Sequence, residues 1–91
     1  MKTVVLYGRE GCCLCDDARE ILLRVRSRHP FMLQERDIEQ DEALHRAYLE
    51  RIPVVTIDGE EAFELFVDEV QFESRVAANS SANPASRVQS G

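Results

Sequence analysis

Apolar residues in the first third of the chain follow two different periods. Residues 4–7 read Val-Val-Leu-Tyr, a short β-rich run that predicts a buried strand over about residues 2–7. Further along, apolar residues recur every three or four positions, which predicts a helix. These positions are Leu14, Ala18, Ile21, Leu22 and Val25. The helix should end near Arg28, because His29 precedes Pro30 and the residue before a proline disfavours the helical conformation.

A second strand and a second helix are predicted next. Phe31 to Ile38 mixes apolar and charged side chains in alternation, which is more typical of an edge strand than of a central one. Asp41 is a suitable N-cap for a helix that should end by Arg51. One face of this predicted helix carries Ala43, Leu44, Ala47 and Tyr48.

The last predicted elements are two strands and a helix. Residues 52–57 form an apolar, β-branched strand opened by a proline, and Asp58-Gly59 is a typical hairpin turn. The returning strand should cover about residues 62–67. Asp68 could cap a final helix through about Ala77, with either Val70 and Ala77 or Phe72 and Val76 facing inward.

The order of elements, βαβαββα, predicts an α/β fold with one four-stranded mixed sheet flanked by three helices. The first two strands should pair in parallel through a right-handed crossover, and the hairpin should add antiparallel strands on the other side. This arrangement places the loop at residues 8–12 at the carboxyl end of a central strand, where open α/β sheets carry their sites.

The composition indicates one small domain, which we assign to residues 1–78. Residues 79–91 are rich in Ser, Ala, Asn and Gln without periodicity, and we expect them to be a disordered tail. No apolar run is long enough to cross a bilayer, and Met1-Lys2-Thr3 leads directly into a strand without the pattern of a signal peptide. We therefore expect a cytoplasmic protein with reduced thiols.

The net charge of −6 makes nucleic acid an unfavourable partner. The excess of acidic residues lies in the second half of the chain, after residue 37. A small basic group, Arg24, Arg26 and Arg28, is predicted to form the solvated face of the first helix. A docking patch for an acidic partner is the alternative interpretation of this group.

All three cysteines, Cys12, Cys13 and Cys15, fall within four residues, where the first strand turns into the first helix. A helix start carries partial positive charge and free N–H groups, both of which favour a thiolate. Residues three apart lie on one helical face, so Cys12 and Cys15 form the predicted working pair, and Cys13 is an extra thiol. Asp16 opposes thiolate formation, whereas Arg9 and Arg19 favour it.

Other roles for these cysteines were considered beside redox chemistry. A closed zinc site needs two more ligands, for which the chain offers only His29 and His45. An odd number of cysteines without a secretory signal argues against a structural disulfide. Inert packing and a metal or iron–sulfur module completed by cysteines from two chains remain open as alternatives.

The motifs resemble those of the glutaredoxins in the thioredoxin superfamily. The resemblance rests on Gly11-Cys12-Cys13-Leu14-Cys15-Asp16, on Arg36-Asp37-Ile38 and on Arg51-Ile52-Pro53-Val54 before an Asp-Gly hairpin. It extends over residues 3–77 and is greatest for short bacterial glutaredoxin-like proteins with a Cys-x-Leu-Cys motif. It implies a thiol–disulfide oxidoreductase that reduces protein disulfides or glutathione mixed disulfides and takes part in electron transport.

The resemblance also implies roles for individual residues. Cys12 corresponds to the nucleophilic cysteine, Cys15 to the resolving one, and Pro53 to a cis-proline that faces them. The backbone of Ile52 would bind an extended substrate segment or glutathione by strand addition. We include Arg9 and Asp68 among the expected substrate-binding residues.

The expected partners are a disulfide-containing protein or glutathione, with glutathione possible as the reductant. We expect no bound cofactor, no metal, no membrane association and a monomeric protein. One departure from the family bears on glutathione. Typical glutaredoxins have a Gly-Gly pair after the last strand, and here Phe66-Val67-Asp68 stands in that stretch.

Overall fold

The computed structural model describes residues 1–77, so the predicted boundary at residue 78 and the predicted disordered tail lie outside the described residues. The strands are β1 (Thr3–Gly8), β2 (Met32–Asp37), β3 (Val54–Ile57) and β4 (Glu60–Glu64). The helices are α1 (Cys13–Arg26), α2 (Glu42–Tyr48) and α3 (Glu69–Ala77). A single 3₁₀ turn, Ile38–Gln40, precedes α2. The predicted order βαβαββα is confirmed.

The four strands form one mixed sheet in the order β2-β1-β3-β4. Strand β1 pairs with β2 in parallel and with β3 antiparallel, and β4 returns antiparallel to β3. The edge position predicted for the second strand is therefore correct. Strand β1 is central, and its carboxyl end leads into the cysteine loop. Cys12 and Cys15 therefore follow the carboxyl end of a central strand, as predicted from the sequence.

Side chains at alternate positions of β1 contact two different clusters of buried residues. Val4 and Leu6 pack against α1 and α3, in a cluster that includes Leu22 and Phe72. A smaller cluster contains Cys15, Ile38 and Ile52, with Tyr7, Cys12, Leu44 and Tyr48 packed against it. The cysteines thus belong to the smaller cluster, which joins the start of α1 to α2.

Helix α2 packs less closely than its sequence predicted. Leu44 and Tyr48 are half-buried, whereas Ala43 and Ala47 are exposed, so no residue of this helix is fully buried. Asp41 caps it as predicted, because its carboxylate accepts hydrogen bonds from the backbone N–H groups of Ala43 and Leu44. Of the two pairs proposed to face inward on α3, Phe72 and Val76 are buried.

Strand β4 ends three residues earlier than predicted. Leu65 has a positive φ of 74°, which a strand cannot accommodate. The Leu65 N–H turns back toward the start of β3 and donates to the carbonyls of Arg51, at 3.1 Å, and Pro53, at 2.9 Å. Residues 65–68 are therefore a connection that runs beside residues 51–53.

The basic group lies at the end of α1 and just after it, and its side chains bind other parts of the chain. Arg24 and Arg28 form ion pairs with Glu69 on α3, and Arg28 also pairs with Glu73. Arg26 donates to the backbone carbonyl of Phe31. These arginines are exposed, as predicted for a solvated face, but they bind α3 and the chain before β2, which argues against a free docking patch for an acidic partner.

Candidate active site

Cys12 lies at the junction between β1 and α1 and caps the helix. Gly11 before it has a positive φ of 80°, a conformation that glycine adopts readily. Cys12 itself is extended, and its Sγ accepts a hydrogen bond from the Cys15 N–H at 3.2 Å. A sulfur in this position meets the free N–H groups of a helix start, and such an environment stabilises a thiolate.

Cys12 and Cys15 are joined by a disulfide bond, with a Cα–Cα distance of 5.2 Å. Cys12 is half-buried, whereas Cys15 is only 6% exposed. Cys13 is exposed and outside the disulfide. The pairing predicted from the three-residue spacing is the pairing observed, and Cys12 is the more exposed of the two residues.

Gly8, at the end of β1, makes room for the buried sulfur. A Cβ atom on Gly8 would lie 2.8 Å from the Cys15 Sγ and 3.1 Å from its Cβ. Such distances are shorter than ordinary van der Waals contacts, so any side chain at residue 8 would displace Cys15. From the sequence, Gly8 was placed only in the loop at residues 8–12, and this role was not predicted.

Ile52 and Pro53 lie next to the disulfide. The Ile52–Pro53 peptide bond is cis, and both residues are buried. Ile52 packs in the same cluster as Cys15 and Cys12. Within residues 1–77, the N–H and C=O of Ile52 take part in no hydrogen bond, because the ladder with β1 begins at Val54. The backbone of Ile52 is therefore not part of the ladder between β1 and β3.

Arg51 fixes the segment that carries Ile52. Its guanidinium binds the carboxylates of Glu61 and Glu64 on β4, the latter at 2.9 Å. Its Cζ lies 5.4 Å from the ring centroid of Tyr48, and its backbone N–H donates to the Tyr48 carbonyl. Burial, with a further contribution from Glu61, raises the pKa of Tyr48.

The two tyrosines beside the dithiol stack on each other. The rings of Tyr7 and Tyr48 are 4.9 Å apart between centroids, and both pack against the cluster that contains Cys15. The sequence analysis gave neither tyrosine nor Arg51 a role at the site. Two features of the sequence could have indicated the tyrosines. Tyr7 lies near the end of the first predicted strand, and Tyr48 lies on the apolar face of the second predicted helix.

The two arginines expected to favour a thiolate are both paired with carboxylates. Arg9 donates to Glu39 at 3.3 Å, and Arg19 donates to Glu35 at 2.8 Å. Arg9 lines a groove of about 660 Å³ that reaches Cys15 from the side of β2. Arg9 and Cys15 therefore line the same groove, and Glu39 partly compensates the charge of Arg9.

Asp68 lies at the start of α3, where its carboxylate accepts a hydrogen bond from the Gln71 N–H at 3.1 Å. The predicted cap is therefore present. The substrate-binding role expected of Asp68 stays a prediction.

The described residues contain neither a metal-binding cluster nor a membrane-spanning helix. No group of three or more His, Cys, Asp or Glu side chains within residues 1–77 has an arrangement that could hold a metal ion. In the same part of the chain, no helix has both the length and the apolar character needed to span a membrane.

A disulfide at a helix start, beside a cis-proline and at the end of a central strand of this mixed sheet, defines a protein of the thioredoxin fold. The model of the family described as "Glutaredoxin-like domain (DUF836)" matches residues 3–77. The chain belongs to this glutaredoxin-like family. A search of curated proteins found no match.

Solved structures agree with this assignment. The chain is 30% identical to protein Ne2328 from Nitrosomonas europaea, with a TM-score of 0.72, over 82% of this chain and 91% of that one. It is 32% identical to protein XcR50 from X. campestris, with a TM-score of 0.70, over 82% and 96% of the two chains. A mutant thioredoxin from Halobacterium salinarum NRC-1, 17% identical, has a TM-score of 0.69 over 91% and 78%, and shares the fold.

Proposed function

We propose that the protein is a thiol–disulfide oxidoreductase that reduces protein disulfides or glutathione mixed disulfides. The observation that carries this proposal is the Cys12–Cys15 disulfide at the start of α1. Membership of the glutaredoxin-like family and the two unpaired backbone groups of Ile52 support it.

The reaction begins from the reduced protein, with Cys12 as the thiolate. The Cys12 sulfur attacks one sulfur of a substrate disulfide, so that a Cys12–substrate disulfide forms and the substrate S–S bond breaks. The other substrate sulfur leaves as a thiolate and takes up a proton. The Cys15 N–H, 3.2 Å from the Cys12 Sγ in the oxidised protein, stabilises negative charge on that sulfur before the attack.

Cys15 completes the reaction. After losing its proton, its sulfur attacks the Cys12 Sγ, the mixed disulfide breaks, and the second substrate thiol leaves. Two electrons have then passed from the protein dithiol to the substrate, and the protein holds the disulfide of the present structure. Two equivalents of a thiol such as glutathione regenerate the dithiol. Because the cycle consumes a thiol reductant, we propose the cytoplasm as its location.

The test uses three single variants of the full chain. Cys12→Ser is expected to abolish reduction of a disulfide substrate, whereas Cys15→Ser should accumulate a covalent adduct on Cys12, detected by intact mass. Cys13→Ser is the matched control, since Cys13 is exposed and outside the disulfide. An active Cys12→Ser protein, or an adduct mapped to Cys13, would refute the proposed roles.

A further inference from the structure

The connection between β4 and α3 exposes two large apolar side chains beside the proposed substrate backbone site. Leu65 is 46% exposed and Phe66 is 68% exposed. The Leu65 N–H bonds to the carbonyls of Arg51 and Pro53, which flank Ile52 on both sides. Leu65 is therefore hydrogen-bonded to the segment that contains Ile52, and Phe66 follows it directly in the chain.

Leu65 holds its position in an unfavourable backbone conformation. A φ of 74° is uncommon for any residue except glycine, and strained residues of this kind cluster at functional sites. A glycine would meet the same backbone requirement without strain. The leucine side chain is 46% exposed and belongs to neither buried cluster, so we look for its contribution at the surface.

The charges at this connection disfavour a small anionic ligand. The Asp68 carboxylate already accepts the Gln71 N–H at the start of α3, and its negative charge opposes a second carboxylate there. The Leu65 N–H is also committed to two backbone carbonyls. Glutathione, which carries carboxylates at both ends, therefore lacks a complementary site at this connection.

From these observations we infer that Leu65 and Phe66 select protein disulfides in which the reacting cysteine has an apolar neighbour and no acidic one. This inference rests on the proposed oxidoreductase function and names its substrate class. The occupant is an extended segment of the partner, which pairs with the N–H and C=O of Ile52. The apolar side chain of that segment packs against Leu65 and Phe66. The disulfide is then reduced by Cys12 and Cys15 in the two steps given above.

The test compares disulfide substrates on the full chain. Two otherwise identical peptide disulfides carry either Leu or Glu beside the reacting cysteine, and bis(2-hydroxyethyl) disulfide and glutathione disulfide complete the set. We expect wild-type kcat/KM for the Leu peptide to exceed that for the Glu peptide and for glutathione disulfide by about tenfold, from partial burial of one apolar side chain and avoided charge repulsion.

The variants Leu65→Gly and Phe66→Ser should each lower the ratio of kcat/KM for the Leu peptide to kcat/KM for the Glu peptide severalfold. In the double variant, only the charge repulsion of the Glu peptide should still contribute to this ratio. Met32→Ser is the matched control. Met32 is 53% exposed and pairs with Thr3, at the end of β1 far from the cysteines. It should leave the ratio unchanged. Because Leu65→Gly removes a strained conformation, its melting temperature should be unchanged or raised.

The outcomes separate the two proposals. Turnover of bis(2-hydroxyethyl) disulfide by the wild type, with equal peptide ratios in wild type and double variant, would overturn the selectivity and leave the oxidoreductase function intact. A preference for glutathione disulfide would also overturn it. A wild-type protein that reduces none of the four disulfides would overturn both.

Discussion

Truncation of Phe72 to alanine removes the main contact between α3 and the rest of the core. Phe72 is fully buried, with 0% of its surface exposed. Its ring packs edge-on against Phe31, at 5.5 Å between centroids, and against Phe63, at 6.2 Å. Phe31 precedes β2 and Phe63 lies in β4, and these strands form the two edges of the sheet. The Phe72 side chain therefore connects α3 with both edges.

The expected loss of stability is a large share of the total. Truncation of a buried phenylalanine to alanine costs about 3–5 kcal/mol, and the two lost ring contacts place Phe72 in the upper half of that range. Native proteins are stable by about 0.05–0.15 kcal/mol per residue, which is about 4–12 kcal/mol for a domain of this size. The melting temperature should therefore fall by about 15 °C or more.

Phe66→Ala is the matched control, because it makes the same chemical change on a side chain that is 68% exposed. Its free energy of unfolding should stay within about 0.5 kcal/mol of the wild-type value. Both variants are compared in the oxidised state by urea unfolding followed by circular dichroism. A loss below about 1 kcal/mol for Phe72→Ala, or equal losses for the two variants, would refute the packing assignment.

Two further predictions concern electrostatics and capping. Hydrogen bonds from Arg24 and Arg28 lower the pKa of Glu69 below the ordinary value of 4.5, and those from Arg28 and His29 lower the pKa of Glu73. Carboxylates with a lowered pKa stabilise the fold above pH 4.5 and lose this contribution as the pH falls. The urea concentration at the unfolding midpoint should therefore decrease once the pH is below about 4.5. A Glu69→Gln, Glu73→Gln variant should show a shallower decline between pH 5 and pH 3, and an identical decline would contradict this assignment. Asp41→Ala should cost about 1 kcal/mol in urea unfolding, because two N–H groups at the start of α2 lose their acceptor, whereas Asp41→Asn should cost less; equal losses would argue against capping.

The sequence predicted most of the fold because its signals are local. Strand β1, helix α1, the Asp41 and Asp68 caps and the Asp58-Gly59 turn each follow from the order of apolar, capping and turn residues within a few positions. The early end of β4 could not be predicted in this way. The apolar run around residues 62–67 continues past the strand, and the bend at Leu65 depends on hydrogen bonds to Arg51 and Pro53, more than ten residues earlier.

The sequence by itself also determined which cysteines can pair, because Cys12 and Cys15 are three residues apart at a helix start and lie on one face. Only the tertiary structure decided what lies around that pair. It placed the Gly8 backbone against the Cys15 sulfur and fixed Arg51 by carboxylates from β4. It also turned Leu65 and Phe66 outward. These contacts join residues of different strands, helices and loops, and they form only when the sheet and helices pack, which no local pattern specifies.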